Sequence, residues 1–367
     1  MRRDPRRRRV GAVGRTARRS PAAQDLVARC HAGLGSAELL REVVEHLVHI
    51  LPVDAVFCAT VDPASLLFTA AVTREIPPES TSRFLANEFL EDDVNKFRTL
   101  ANRRFPVDWL DHATDADRDA SPRYREIMAP LGLGDELRAA FRSGGECWGF
   151  LCIHREDAPR GFTEGEARLI ARLTTHVGEA LRRALLVGSI DSSVEPDGPG
   201  VLLLGDDGSL IATTAAGDRW LWELSSPEQS GLLPVAVEVV LAHLAALQAN
   251  RTDVAPRVRV RTRSGRWAVV HASEMAGFGT VRAVAVVVEP AQSSELAPLV
   301  LLAYGLTQRE AEVARAMLQG KPNKAVARAL RISEHTVEDH LKAVFAKVGV
   351  ASRGELTARI FSDHYAH

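Results

Sequence analysis

Residues 307–360 are punctuated so densely that only a run of short helices fits them. Thr307-Gln308-Arg309-Glu310 has the pattern of a capping box, with a hydroxyl at the N-cap and a carboxylate at N3. Ala311, Val313, Ala314 and Leu318 supply its apolar side, and Gly320 stops it. Pro322 suits the first turn of a second helix, whose apolar side is Ala325, Val326, Ala329 and Leu330. Arg331-Ile332 makes a turn, and Ser333 caps a third helix. In that helix Val337, Leu341, Val344 and Val348 form one buried stripe, which sends Glu334, His335, Glu338, Asp339 and Lys342 outward together. Gly349 ends it, and Ser352-Arg353-Gly354-Glu355 opens a fourth helix.

Short helices with a tight turn between the second and third are the pattern of a helix-turn-helix. Small residues are needed where those two helices meet, and Ala327 and Ala329 are suitable. In such a unit the third helix enters the major groove while the second braces on the backbone.

Charge sharpens the reading. The net charge of −1 conceals nine Arg against one Asp in residues 1–20 and ten Lys/Arg against seven Asp/Glu in residues 296–367. The body between them is therefore acidic. Of five lysines, four (Lys321, Lys324, Lys342 and Lys347) fall near the C-terminus. An acidic body with basic ends is a pattern expected of nucleic-acid binding. Residues 1–21 cannot supply a core and are expected to be a disordered basic tail.

The 367 residues suffice for two or three domains. No long uninterrupted apolar run announces a membrane span, and no apolar segment follows the Arg-rich start, so a cytoplasmic protein is expected. Cys30, Cys58, Cys147 and Cys152 form no CxxC pair and read as buried thiols, with no metal site. Cys147 and Cys152, five apart in a strand, should face opposite sides of their sheet.

Upstream, the chain reads as α+β. A helix is expected over 36–50, strands over Ala55–Thr60 and Leu66–Val72, a hairpin from Leu137 to His154, and a long helix capped by Thr163 and Glu166 with Leu169, Leu173, Val177, Leu181 and Leu185 as its stripe. After a linker-like stretch at 188–200, strands and helices recur up to Val288.

Three resemblances follow from these residues. Gly145–His154, Phe162-Thr163 and the long helix resemble a GAF domain over residues 22–187, which implies a sensory or dimerisation module. Asp206–Leu221 resembles the opening of a PAS domain, implying a PAS-like unit over 197–290. Leu306–Glu310, Gly320, Asn323-Lys324, Ala327, Leu330, Ile332-Ser333, Thr336-Val337, His340, Lys347 and Ser352-Arg353 resemble the LuxR (GerE-type) DNA-binding domain over 299–364. The fold class expected is thus multidomain: an α+β GAF-like sensor, an α+β PAS-like middle and an all-α four-helix LuxR-type domain.

The LuxR resemblance implies a sequence-specific transcriptional regulator. It would bind duplex DNA as a homodimer and act through RNA polymerase, with a small-molecule effector left open. Contacts to DNA are expected from Asn323, Lys324, Ser333, Glu334, His335, Thr336, Glu338, Asp339, Lys342 and Lys347. The sequence departs from the family pattern at Pro322, where a hydroxyl is usual, and at Glu338-Asp339, where Lys is frequent. Glu338 either accepts from a cytosine amino group or pairs with Lys342 one turn on. No catalytic residue and no cofactor are expected. The competing classes are a GAF-domain enzyme or small-molecule-binding protein whose helix-turn-helix regulates only its own expression, with Cys58, Cys147 and Cys152 as its sole redox candidates, and a sigma-factor-like protein.

Overall fold

The computed structural model describes residues 21–157, 161–186, 198–205, 207–225, 232–275 and 283–361. The basic tail 1–20 and most of the 188–200 linker lie outside the described residues. Pro21 does not belong to the tail: it opens a helix.

The first unit contains α1 (Pro21–Cys30), α2 (Ser36–Ile50), β1 (Ala55–Val61), β2 (Phe68–Arg74), α3 (Thr81–Leu90), α4 (Phe97–Asn102), β3 (Val107–Trp109), α5 (Leu110–Ala113), β4 (Leu133–Ser143), β5 (Glu146–Glu156) and α6 (Glu164–Ala184). Its five strands form an antiparallel sheet in the order β2-β1-β5-β4-β3. The β4–β5 hairpin turns on Gly144 and Gly145, both at positive φ, the conformation glycine adopts without a steric cost. The Thr163–Glu166 capping box of α6 is formed as expected.

One face of this sheet packs on α1, α2 and α6, burying Leu39, Leu40, Val177 and Leu181. The α6 stripe is therefore sunk in a core that also takes in Trp267, Val269, Leu296 and Leu299 from later in the chain, with Leu169 and Leu185 at its half-buried margins. Gly178 lets α6 approach β4 closely, since a Cβ there would meet the Arg142 backbone at 2.7 Å. The opposite face carries the rings of Phe57, Phe68, Phe97 and Phe150.

The expectation that Cys147 and Cys152 face opposite sides is corrected. Phe141 pairs with Gly149 but Arg142 pairs with Cys147, so Trp148 is an extra residue. Such a bulge shifts the alternation by one. Cys147, Phe150 and Cys152 consequently share the aromatic face, while Trp148 and Leu151 face the helices.

The second unit contains β6 (Gly200–Gly205), β7 (Leu210–Thr213), α7 (Ala215–Leu224), α8 (Val235–Gln248), β8 (Arg257–Arg261), β9 (Trp267–Met275) and β10 (Ala283–Pro290). Its antiparallel sheet has the order β7-β6-β10-β9-β8, the same order as the first when the strands of each unit are counted along the chain. α8 packs over this sheet and also against α3 and β2, so one apolar cluster runs across both units. The buried Asp62 carboxylate ties them together, accepting from Arg259 Nε at 2.8 Å.

The C-terminal unit holds α9 (Ser293–Ala303), α10 (Gln308–Leu318), α11 (Asn323–Leu330), α12 (Glu334–Val348) and α13 (Arg353–Phe361). The expected four helices are thus joined by a fifth, because α9 contributes Ala297, Val300 and Leu301 to the same core. No helix among the described residues is long and apolar enough to cross a membrane.

Candidate nucleic-acid interface

The C-terminal core is built from the stripe the sequence announced: Val337, Leu341, Val344 and Val348 are all buried against Val313, Ala314 and Val326. On α11 the expected apolar side is adjusted. Val326 and Ala327 are buried, but Ala329 is exposed, so Ala327 is the small residue on the buried side of this helix. On α10, Ala316 and Met317 are buried and Leu318 is half-buried.

Each helix start shows its own chemistry. Thr307 Oγ1 accepts from the Glu310 amide, and the Glu310 carboxylate accepts from the Thr307 amide at 2.7 Å. Pro322 occupies the N-cap position of α11, not its first turn, and offers no capping side chain. Ser333 Oγ accepts from the Thr336 amide at 3.0 Å and lies 2.7 Å from the Thr336 hydroxyl. The α11–α12 turn is made by Arg331 in the left-handed conformation, φ 56° and ψ 46°. Arg309 clamps the turn by donating to the Leu330 carbonyl.

The outward face of α12 is as expected: Glu334, His335, Glu338, Asp339 and Lys342 are exposed, and Thr336 is half-buried beside its cap. Of the two readings of Glu338, the pair with Lys342 is not formed. Lys342 Nζ donates to Asp339 at 3.2 Å, and His335 Nε2 lies 3.5 Å from the other Asp339 oxygen. Lys342 is thus engaged one residue away from Glu338, whose carboxylate points outward unpaired among the described residues.

Two expected contact residues are tied into the fold. Lys347 Nζ donates to Glu310 Oε2 at 2.6 Å, joining α12 to the start of α10. Burial opposes ionisation of Glu310, but Lys347 and the Thr307 donors hold its pKa below the ordinary carboxylate value. Asn323 Oδ1 accepts from Arg353, which fixes α13 against the start of α11. Lys324 remains exposed. The structure adds exposed cations that were not among the expected contacts, Lys321, Arg328 and Arg331. Their arrangement around the acidic outward face of α12 was readable only as net charge, because position around the helix pair requires the turn geometry.

The GAF-like unit holds the other concentration of chemistry. Arg123 and Arg138 are buried, and Glu136 lies between them, 2.6 Å from Arg123 and 3.0 Å from Arg138. Arg138 also pairs with Glu88 at 2.7 Å and stacks on the Phe97 ring. Cys152 Sγ donates to Glu136 at 2.7 Å and lies 3.3 Å from His154 Nε2. Donor atoms of Glu136, Cys152 and His154 fall within 4.8 Å of one another, a spacing that suits a metal. The surroundings do not: two guanidiniums already neutralise the carboxylate and would repel a cation. Burial pushes the Glu136 carboxyl up, yet Arg123 and Arg138 outweigh it and hold its pKa far below the usual value. Burial raises the thiol pKa values, Cys30 to about 11, Cys147 to about 12, and Cys58 and Cys152 well above the ordinary range. A protonated thiol is a poor nucleophile, which counts against the redox reading of Cys58, Cys147 and Cys152.

Comparison with known proteins places these units. The family model "Bacterial regulatory proteins, luxR family" matches residues 305–360, and the model for the GAF domain matches residues 36–181. An uncharacterized transcriptional regulatory protein, YhcZ, of Bacillus subtilis (strain 168) is 44% identical over 62 residues, 17% of this chain and 28% of the relative. The monoamine regulon transcriptional regulator of Klebsiella aerogenes is 44% identical over 54 residues, 15% of this chain and 24% of the relative. The chain therefore spans under a third of the length of these curated relatives. Among solved structures, the GAF domain of an Acinetobacter phosphoenolpyruvate-protein phosphotransferase is 17% identical, with a TM-score of 0.33, covering 46% of this chain and 96% of that one.

Proposed function

We propose that this chain, which carries a GAF domain and a helix-turn-helix domain of the luxR family, is a sequence-specific regulator of transcription. The observation that carries the reading is α12 itself. One stripe is sunk in a core, and the opposite stripe, with a capped N-terminus, is left outward beside exposed cations. A capped helix start of this kind orients backbone amides toward phosphate.

In this reading α12 lies in the major groove. Lys324, Lys342, Ser333 and Thr336 hold phosphates, while Glu334, His335, Glu338 and Asp339 face base edges. The outward Glu338 carboxylate accepts from a cytosine amino group. Lys347 and Asn323 act mainly by bracing helices, through Glu310 and Arg353. The protein works as a binding module, not an enzyme. It acts in the cytoplasm as a pair of chains, because symmetric half-sites need two recognition helices at a fixed separation. Contact with RNA polymerase completes the reading.

Selection of bound duplexes from a random pool, with the full chain and with Glu338→Lys, tests it. The parent should enrich one motif, and Glu338→Lys should change the base preferred at one position. No enrichment over random competitor at modest ionic strength would remove the proposal. Lys324→Ala should weaken binding evenly across sequences and reduce the salt slope by about one. A fragment of residues 291–367 should bind more weakly than the whole chain at matched salt; equal affinity would dismiss the dimer.

A further inference from the structure

A cavity of about 420 Å³ lies where α4 and the end of α3 meet α8 and the residues after it. That volume is in the range of small-molecule sites, roughly 300–1,000 Å³. Its floor is aromatic: Phe68, Phe89, Phe97 and Phe150 line it from the first unit. The second unit contributes His243, which is 1% exposed and packs edge-on against Phe89 at 5.5 Å. Neither ring nitrogen of His243 makes a hydrogen bond of ordinary geometry, although one leans on the Val254 backbone. A buried imidazole left this way favours an occupant with a polar atom to offer.

The charges decide the sign of that occupant. Glu88, Glu91 and Asp93 are in the wall, but each is committed to an arginine behind it: Arg138 at 2.7 Å, Arg83 at 2.7 Å and Arg123 at 3.5 Å. Asp92 pairs with Arg251 at 3.2 Å, a bridge between the units at the cavity's edge. Lys96 and Arg98 remain, and among the described residues neither has a carboxylate within ion-pair distance. Lys96 Nζ donates only to the Asn87 carbonyl. Burial presses its pKa down to about 8, the response of a cation deprived of water and incompletely compensated.

We propose that this cavity binds a small organic anion with a flat apolar body, its charge on Lys96 and Arg98 and its ring system on the phenylalanines beside His243. Such a ligand would touch both units at once and hold them together. This site lies away from the recognition helix, and its occupancy is read without DNA, so it stands or falls independently of the DNA-binding reading.

Titration calorimetry and thermal unfolding of the full chain test it with 2-naphthoate, 1-naphthyl phosphate and the uncharged 2-naphthamide. At least one anion should bind more tightly than about 1 mM, with a saturating heat and a midpoint that rises with the logarithm of its concentration, and the amide should be about tenfold weaker. Arg98→Ala, at an exposed position that leaves folding intact, should weaken that anion about fivefold, and Lys96→Gln should do the same. Failure of both anions to bind, amide binding equal to the acid, or an unchanged affinity in Arg98→Ala would each overturn the proposal.

Discussion

The two sheets of this protein have the same strand order and opposite interiors. In the first, the face turned toward the second unit holds Arg123, Glu136, Arg138 and Glu88 beside its phenylalanines. In the second, the face under α8 is aliphatic: Val258, Val260, Val270, Val286 and Val288 meet Val237 and Val240. Arg138 in β4 and Val270 in β9 stand on equivalent strands. Topology therefore constrains which strands are neighbours, while the polarity of what they enclose is free to differ. An aliphatic interior stabilises through area removed from water. A buried ionic network loses hydration and recovers it only if every member is paired, so it specifies an arrangement more than it stabilises one.

The largest expected effect comes from breaking the network on one side. Arg138→Met leaves Glu136 and Glu88 short of a partner and should destabilise the first unit by about 3–5 kcal/mol in a denaturant titration. A loss below that of an ordinary cavity would show the network to be dispensable. In the second sheet, Val270→Ala removes two methyl groups and should cost about 2 kcal/mol, with no dependence on pH.

The contrast also has a pH signature. Glu136 has its folded pKa lowered, so its contribution is present above the ordinary carboxylate value and is lost as the pH falls. Glu238 on α8 is the reverse case: burial raises its pKa to about 7. Its contribution is complete below the unfolded value of 4.5 and disappears as the pH rises to about 7. Glu238→Gln should therefore stabilise the protein at pH 8 by roughly 1–2 kcal/mol, after allowance for its partial exposure, and by little in acid. Equal effects at both ends, in thermal unfolding at each pH, would contradict the assignment.

Legibility followed range. The helix-turn-helix could be read because its signals are local: Thr307 with Glu310, Ser333 with Thr336, and Gly320 and Gly349 at positive φ. α9 escaped because it is apolar on nearly every side and contains Pro298. It is also capped by Gln292 with Glu295, an uncommon N-cap. The ionic network escaped because Glu88 and Arg138 are 50 residues apart and the stretch between them carries no clear period. The face of Cys147 was misread for a reason of register, since one bulged residue reverses every side chain beyond it.

From its residues alone, this chain determined where helices begin and end, which side of α12 is buried and that basic charge gathers near it. Those are matters of hydrogen bonds and apolar spacing within a few residues. Only the tertiary structure decided that Lys347 braces α10, that Lys342 answers Asp339 instead of Glu338, and that two arginines enclose Glu136. The choice of partner for a long charged side chain depends on what distant segments bring within reach and on how much water they exclude.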